Sequence, residues 1–128
     1  MPSLNLLEPW FRPMAHRMVT YARRRWPGAG FVVTSTRRTF AEQRRLFERA
    51  QAGQNNGLPA TPPGMSDHEV GLAFDFARLN QDPLTDPLLP LAGAHWAAMG
   101  GRWWAGDPVH FAAPRDRPRS RKRARRRR

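Results

Sequence analysis

The sequence predicts a single α+β domain in which an antiparallel sheet carries helices packed on one side. Three observations predict it. Residues 70–77 set Val70, Leu72, Phe74 and Phe76 against Gly71, Ala73, Asp75 and Ala77. This period of two is the signature of a strand with one bulky, packed face. Residues 8–26 instead space Trp10, Met14, Met18 and Tyr21 three to four apart, the period of a helix with one buried stripe. Thirteen prolines and ten glycines in 128 residues then divide the chain into short elements joined by many loops.

In chain order, the first helix is expected over 8–26, with Pro13 in its first turn, where a missing N–H costs nothing. Pro27-Gly28-Ala29-Gly30 breaks it, and the β-branched run Phe31 to Ser35 reads as a short strand. Thr39 is a candidate N-cap, and Glu42 three residues later completes a capping box. A helix over about 40–52 should follow, burying Phe40, Leu46 and Phe47 and fixing Arg38 at its mouth, close to a cleft. Residues 53–65 are a long Gly-, Asn- and Pro-containing loop bordering that cleft, since long loops in small domains are often functional. After the strand at 70–77, residues 80–90 form a second loop. Residues 91–99 form a short helix ended by Gly100-Gly101. Residues 102–105 and 109–112 are expected to pair as a hairpin around Gly106 and Asp107, with Trp96, Trp103 and Trp104 shared between the core and the cleft wall.

The chain has the length of one domain, not two, and 40% hydrophobic residues can build its core. Cysteine is absent, which excludes disulfides, thiolate zinc sites and a cysteine nucleophile. The first seven residues have no basic, apolar pattern of a secretory signal. The net charge of +12 is concentrated at one end: residues 115–128 hold ten basic residues and one acid, leaving +3 for residues 1–114. Such dense like charge buries nothing, so 1–114 reads as the folded domain and 115–128 as a disordered polybasic tail.

The chemistry concentrates in Ser66-Asp67-His68-Glu69-Val70-Gly71-Leu72-Ala73-Phe74-Asp75 and in Asp107-Pro108-Val109-His110-Phe111. Asp75 is the only polar group on the small face of its strand, where a carboxylate is costly unless paired or bound to metal. His68 has the wrong parity to sit beside Asp75 on a straight strand, so it should swing in from a bend just before it. In the second stretch Val109, Phe111 and Ala113 would face the core and His110 the cleft. Two imidazoles and one carboxylate are the ligand set of an open catalytic zinc site, whose fourth position is left to water. Asp107, at the strand entrance, is a spare carboxylate placed to exchange a proton with that water. His16 and His95 lack acidic or histidine partners at a telling spacing and read as packing or surface residues.

These residues resemble the zinc D,D-carboxypeptidase and L-alanyl-D-glutamate peptidase family (peptidase family M15), which includes phage endolysins. The family's S-x-H-x-x-G-x-A-x-D motif runs from Ser66 to Asp75. Its carboxylate-x-x-histidine-aromatic motif is matched by Asp107, His110 and Phe111. Its R-[ST]-x-x-x-Q segment is matched by Arg38 to Gln43, and Gly100-Gly101-Arg102-Trp103 matches a Gly-Gly-x-Trp ahead of the second motif. The resemblance covers residues 5–113. It implies that His68, Asp75 and His110 ligate one zinc ion, that Asp107 is the catalytic acid/base, and that Arg38 holds a substrate acyl oxygen or carboxylate. Ser66 would hydrogen-bond substrate or cap the turn before His68. The fold implied is that shared with the hedgehog signalling domain. The activity implied is hydrolysis of stem peptides of bacterial peptidoglycan by a monomer.

Carboxypeptidase members mostly carry glutamate and an aromatic in the second motif. Asp107 with Pro108 and Val109 looks more like the phage endopeptidases, so L-alanyl-D-glutamate cleavage is the first expectation and D-alanyl-D-alanine carboxypeptidase activity the second. A protein made in the bacterial cytoplasm without a signal would reach the wall through another factor. The tail suits anionic envelope polymers or lipids and, as a second reading, nucleic-acid phosphates. A rival from another class is a binding module that holds wall fragments or nucleic acid and cuts nothing; the intact Asp107 speaks against it.

Overall fold

Phe74, Phe76 and Phe111 lie at the centre of the molecule, wholly buried, with Phe11, Met18 and Trp96 packed on them. A computed structural model describes residues 2–55 and 57–116. Of the polybasic tail, residues 117–128 lie outside the described residues. The described chain comprises α1 (Arg12–Arg25), β1 (Phe31–Ser35), α2 (Phe40–Gln51), β2 (Ala73–Arg78), α3 (Leu89–Ala98) and β3 (His110–Ala112). Two single 3₁₀ turns, Leu4–Leu6 and Asp67–Val70, complete it. The α+β class with an antiparallel sheet is as expected. No helix among the described residues is long and apolar enough to cross a membrane.

The sheet has the order β1-β2-β3, both pairs antiparallel. Alternation along β2 sends Phe74 and Phe76 to one face and Asp75 to the other. On the aromatic face, Phe74 lies 5.5 Å from both Trp96 of α3 and Phe111 of β3, and 6.2 Å from Phe11 just before α1. Edge-on, tilted and stacked contacts of this kind add to the burial itself. The buried Trp96 indole donates to the Ala112 carbonyl at 2.9 Å, so its N–H goes under without loss. Gly101 makes that placement possible: a Cβ there would meet Trp96 Nε1 at 2.2 Å. α1 and α3 therefore cover the aromatic face, while α2 borders the cleft above Asp75.

Four expectations are corrected. The first helix begins at Arg12, not 8, because Pro13 has to sit within its first turn. α2 has the expected Thr39–Glu42 capping box, but Phe40 is 57% exposed and Leu46 and Phe47 are half-buried. Its fully buried residue is Gln43, since α2 faces a polar cleft and not the aromatic core. Val70 is not part of the strand: the cap at Ser66 and the left-handed Gly71 wind 67–70 into a turn, leaving Val70 48% exposed. The hairpin over 102–112 shrinks to one bridge, Arg102 with Ala112. Pro108 has no N–H for a ladder, and the Trp103 indole donates to the Pro108 carbonyl at 2.9 Å, drawing that segment off the strand path.

Candidate metal centre

His68 is delivered by the 3₁₀ turn Asp67–Val70. Ser66 caps it, its Oγ accepting from the His68 N–H at 3.2 Å. Gly71 closes it with φ +74°, a conformation that glycine adopts freely. A Cβ at Gly71 would also stand 3.0 Å from the Glu8 nitrogen, whose N–H donates to the Gly71 carbonyl. The turn thus brings His68 in from outside the strand, as its parity requires. Asp75 and His110 meet differently: they are direct cross-strand partners in the β2–β3 register, so pairing alone puts them side by side on the cleft face.

The three side chains converge. His68 Nε2 lies 3.0 Å from Asp75 Oδ1 and 3.2 Å from His110 Nδ1, and His110 Nδ1 lies 3.8 Å from Asp75 Oδ1. The His68 ring is 1% exposed, and its Nδ1 is 2.7 Å from the Thr36 carbonyl. A carbonyl can only accept, so Nδ1 carries the hydrogen and the Nε2 lone pair points at the other two donors. Three electron-pair atoms aimed at one another are reconciled by a cation between them. Zinc bonds of about 2.0–2.1 Å at the tetrahedral angle set ligand atoms about 3.3 Å apart, and the triangle found here brackets that value. The residues fit one zinc ion; His68, Asp75 and His110 form the group able to hold it.

The surroundings hold this triangle in place. Burial works to raise the Asp75 pKa, but the contacts with His110 and His68 and the charge of Arg38 outweigh it, keeping the carboxyl ionised and below its usual range. Arg38 donates to Asp75 Oδ2 at 2.5 Å, from Nε to Ser35 Oγ at 3.0 Å, and from Nη1 to Gln43 Oε1 at 3.2 Å. Gln43 in turn donates to the Thr61 carbonyl at 2.8 Å, tying α2 to the 53–65 loop. Behind His110, its Nε2 is 4.0 Å from the Asp67 carboxylate, which Arg102 clamps at 3.1 Å. Asp107 sits in the bend before β3 and lines the same cleft. Burial pushes its pKa upward, against the pull of His110, His68 and Arg38.

The structure therefore brings the sequence-derived candidates His68, Asp75, His110, Asp107 and Arg38 into one cleft lining. The sixth, Ser66, also lines the cleft, with its hydroxyl engaged as a cap. Arg38, expected to hold a substrate acyl oxygen or carboxylate, donates to Asp75. His95 stacks on Tyr21 with ring centroids 3.4 Å apart, and His16 is exposed; neither is near the centre. Three contributors escaped the sequence. Thr36 acts through its carbonyl, which no side-chain pattern reveals. Gln43 was visible as a polar residue in the R-[ST]-x-x-x-Q segment, and Asp67 as an acid next to a ligand histidine, but neither was given a role.

A small α+β domain with two imidazoles and a carboxylate open to a cleft, and a spare half-buried acid in the same cleft lining, is the arrangement of a mononuclear metal hydrolase. A family model described as D-alanyl-D-alanine carboxypeptidase (VanY) matches residues 6–98. The chain belongs to this VanY carboxypeptidase family. The match stops short of Asp107 and His110, so the second half of the centre rests on the geometry above. No curated protein sequence matches the chain. Among solved structures it resembles the LdcB LD-carboxypeptidase (TM-score 0.62, 19% identity, 84% of this chain and 65% of that one). It also resembles VanYB in complex with D-alanine-D-alanine (TM-score 0.62, 18% identity, 84% and 71%). A VanY D,D-pentapeptidase mutant in complex with Zn(II) is similar at TM-score 0.63, 18% identity, 84% and 72% coverage. These likenesses establish the zinc-peptidase fold. The chain spans slightly less than two thirds of the LdcB chain.

Proposed function

We propose that this chain is a zinc-dependent peptidase of peptidoglycan stem peptides, with His68, Asp75 and His110 as the metal ligands. The single observation that carries the reading is the 3.0, 3.2 and 3.8 Å triangle of their donor atoms, supported by membership of the carboxypeptidase family. A zinc ion held by these residues would supply Lewis acidity to a scissile carbonyl and make an attacking water more acidic near neutral pH. Asp107 takes the proton of the attacking water and hands it to the departing amine. The upward push on its pKa suits both halves of that task. His68 keeps its donor lone pair inward through Thr36, and Arg38 with Gln43 holds Asp75 in its ligating pose. The Ser66 hydroxyl is engaged as a cap, and its role towards substrate is secondary.

For the bond cut, the favoured reading is the internal L-alanyl-D-glutamate bond. A carboxypeptidase needs a cation for the substrate's terminal carboxylate. Among the described residues the cleft lining contains one, Arg38, and it is engaged by Asp75, Ser35 and Gln43. The second reading, removal of a terminal D-alanine, is favoured by the family match and by the D-alanine-D-alanine bound to a structural neighbour. Digestion of purified peptidoglycan followed by mass spectrometry separates them. The favoured reading yields peptides with a new amino-terminal glutamate; the second yields free D-alanine. Absence of both products with zinc-loaded protein would remove the peptidase proposal.

A further inference from the structure

α1 carries a surface that the cleft does not use. Its sequence, Arg12 to Arg25, contains five arginines, one histidine and no acid. Arg12 is tied to the Leu7 carbonyl. Arg17, Arg23, Arg24 and Arg25 are exposed, and among the described residues none has a carboxylate within 4.0 Å. Positions 17, 21 and 25 form one row of the helix and 16, 20 and 24 the next, and together they line a shallow groove. Solvated helix faces ordinarily mix the two signs of charge; this one is cationic along its length. The buried stripe of α1, Met14, Met18 and Ala22, packs on the aromatic face of the sheet. The arginines therefore point away from Asp75 and cannot serve the reacting bond.

We propose that this face binds a phosphodiester-linked polyanion of the bacterial wall, a chain of polyol phosphates, and so holds the enzyme on its insoluble substrate. Charge complementarity selects a polyanion. The aromatic residues select against single-stranded nucleic acid, which is gripped by stacking bases on free rings. Here Tyr21 is stacked on His95 with 2° between the planes, and Trp26 lies edge-on to Tyr21 and against Phe31, with Arg25 5.6 Å from its centroid. What remains is charge and guanidinium donors suited to phosphate. The choice of a wall polymer rests on the peptidase reading; the binding surface itself does not.

The test uses the full chain and a variant combining Arg17→Gln, Arg24→Gln and Arg25→Gln, all at exposed positions. The probe is a synthetic glycerol phosphate oligomer, with single-stranded DNA of equal phosphate number as the comparison. The variant should bind the oligomer at least about tenfold more weakly. Its slope of log K against log salt should be shallower by about 2, near 0.7 per lost contact. Amide chemical shifts in the full chain should move over 16–26 on adding the oligomer. Unchanged affinity in the variant, with shifts confined to residues 117–128, would overturn the proposal. So would DNA binding more tightly than the oligomer through the same arginines. Hydrolysis of a short soluble stem peptide should be equal in both proteins; if neither cuts it, the peptidase reading fails while the binding result still stands.

Discussion

Asp75 is where the opposing forces on single residues are plainest. A carboxylate on the small face of an otherwise apolar strand would be expelled or protonated without partners. His68, His110 and Arg38 supply them, and the group stays ionised. Asp107 experiences the opposite balance, with burial dominant. As the proposed base it must be deprotonated to act, so kcat/KM should rise with pH through its pKa and fall away on the acid side. Asp107→Asn should abolish that acidic limb and lower kcat by about 10²–10⁴-fold, with zinc still bound; full activity in this variant would show that the proton moves elsewhere. Asp67→Asn should weaken zinc binding by roughly 10–100-fold through the loosened His110 ring, read by competition with a chelator. The spacing of His68, Asp75 and His110 is legible in the sequence because their chemistry resides in side-chain type and strand parity. Thr36 is not, because its contribution is a backbone carbonyl. The pairing of Arg38 with Asp75 is also hidden, since they are 37 residues apart and meet only in three dimensions.

Among the elements, β2 and β3 perform one task together: their register sets Asp75 opposite His110. The alternation of residues 72–77 reveals that strand, and Thr39 with Glu42 reveals the start of α2. What sequence periodicity misjudges is where a local cap overrules it. Val70 continues the alternating pattern, yet the Ser66 cap and Gly71 take it into a turn. Phe40 and Phe47 are apolar at helical spacing, yet α2 turns Gln43 inward, because the groups it meets are Arg38 and the Thr61 carbonyl. Thr39→Ala should therefore destabilise the fold by about 1 kcal/mol through the lost cap. Because α2 begins beside Arg38, it should also lower activity at temperatures where the fold is intact. Urea unfolding and peptide hydrolysis, measured together, check both. Gly101→Ala should cost about 1–3 kcal/mol or more, as its methyl would displace the Trp96 ring; unchanged stability would mean that this contact relaxes freely.

Taken whole, the molecule has one aromatic core, with the metal centre on one side of its sheet and an arginine-bearing helix on the other. The α+β class and the antiparallel sheet are legible from two periodicities, and family membership from the spaced motifs. The bond cut is not, because it depends on which cation is free to meet the substrate. That availability is set by contacts such as Arg38 with Asp75. If zinc joins β2, β3 and the 67–70 turn, it should stabilise the entire domain: with free zinc at about 100 times Kd, unfolding should become about 2.7 kcal/mol harder. The most direct measurement is a titration of chelator-stripped full chain with zinc. One ion per chain is predicted for the unaltered protein, with binding lost in both His68→Ala and His110→Ala. Zinc bound with unchanged affinity in either variant, or no specific binding to the unaltered chain, would contradict the account.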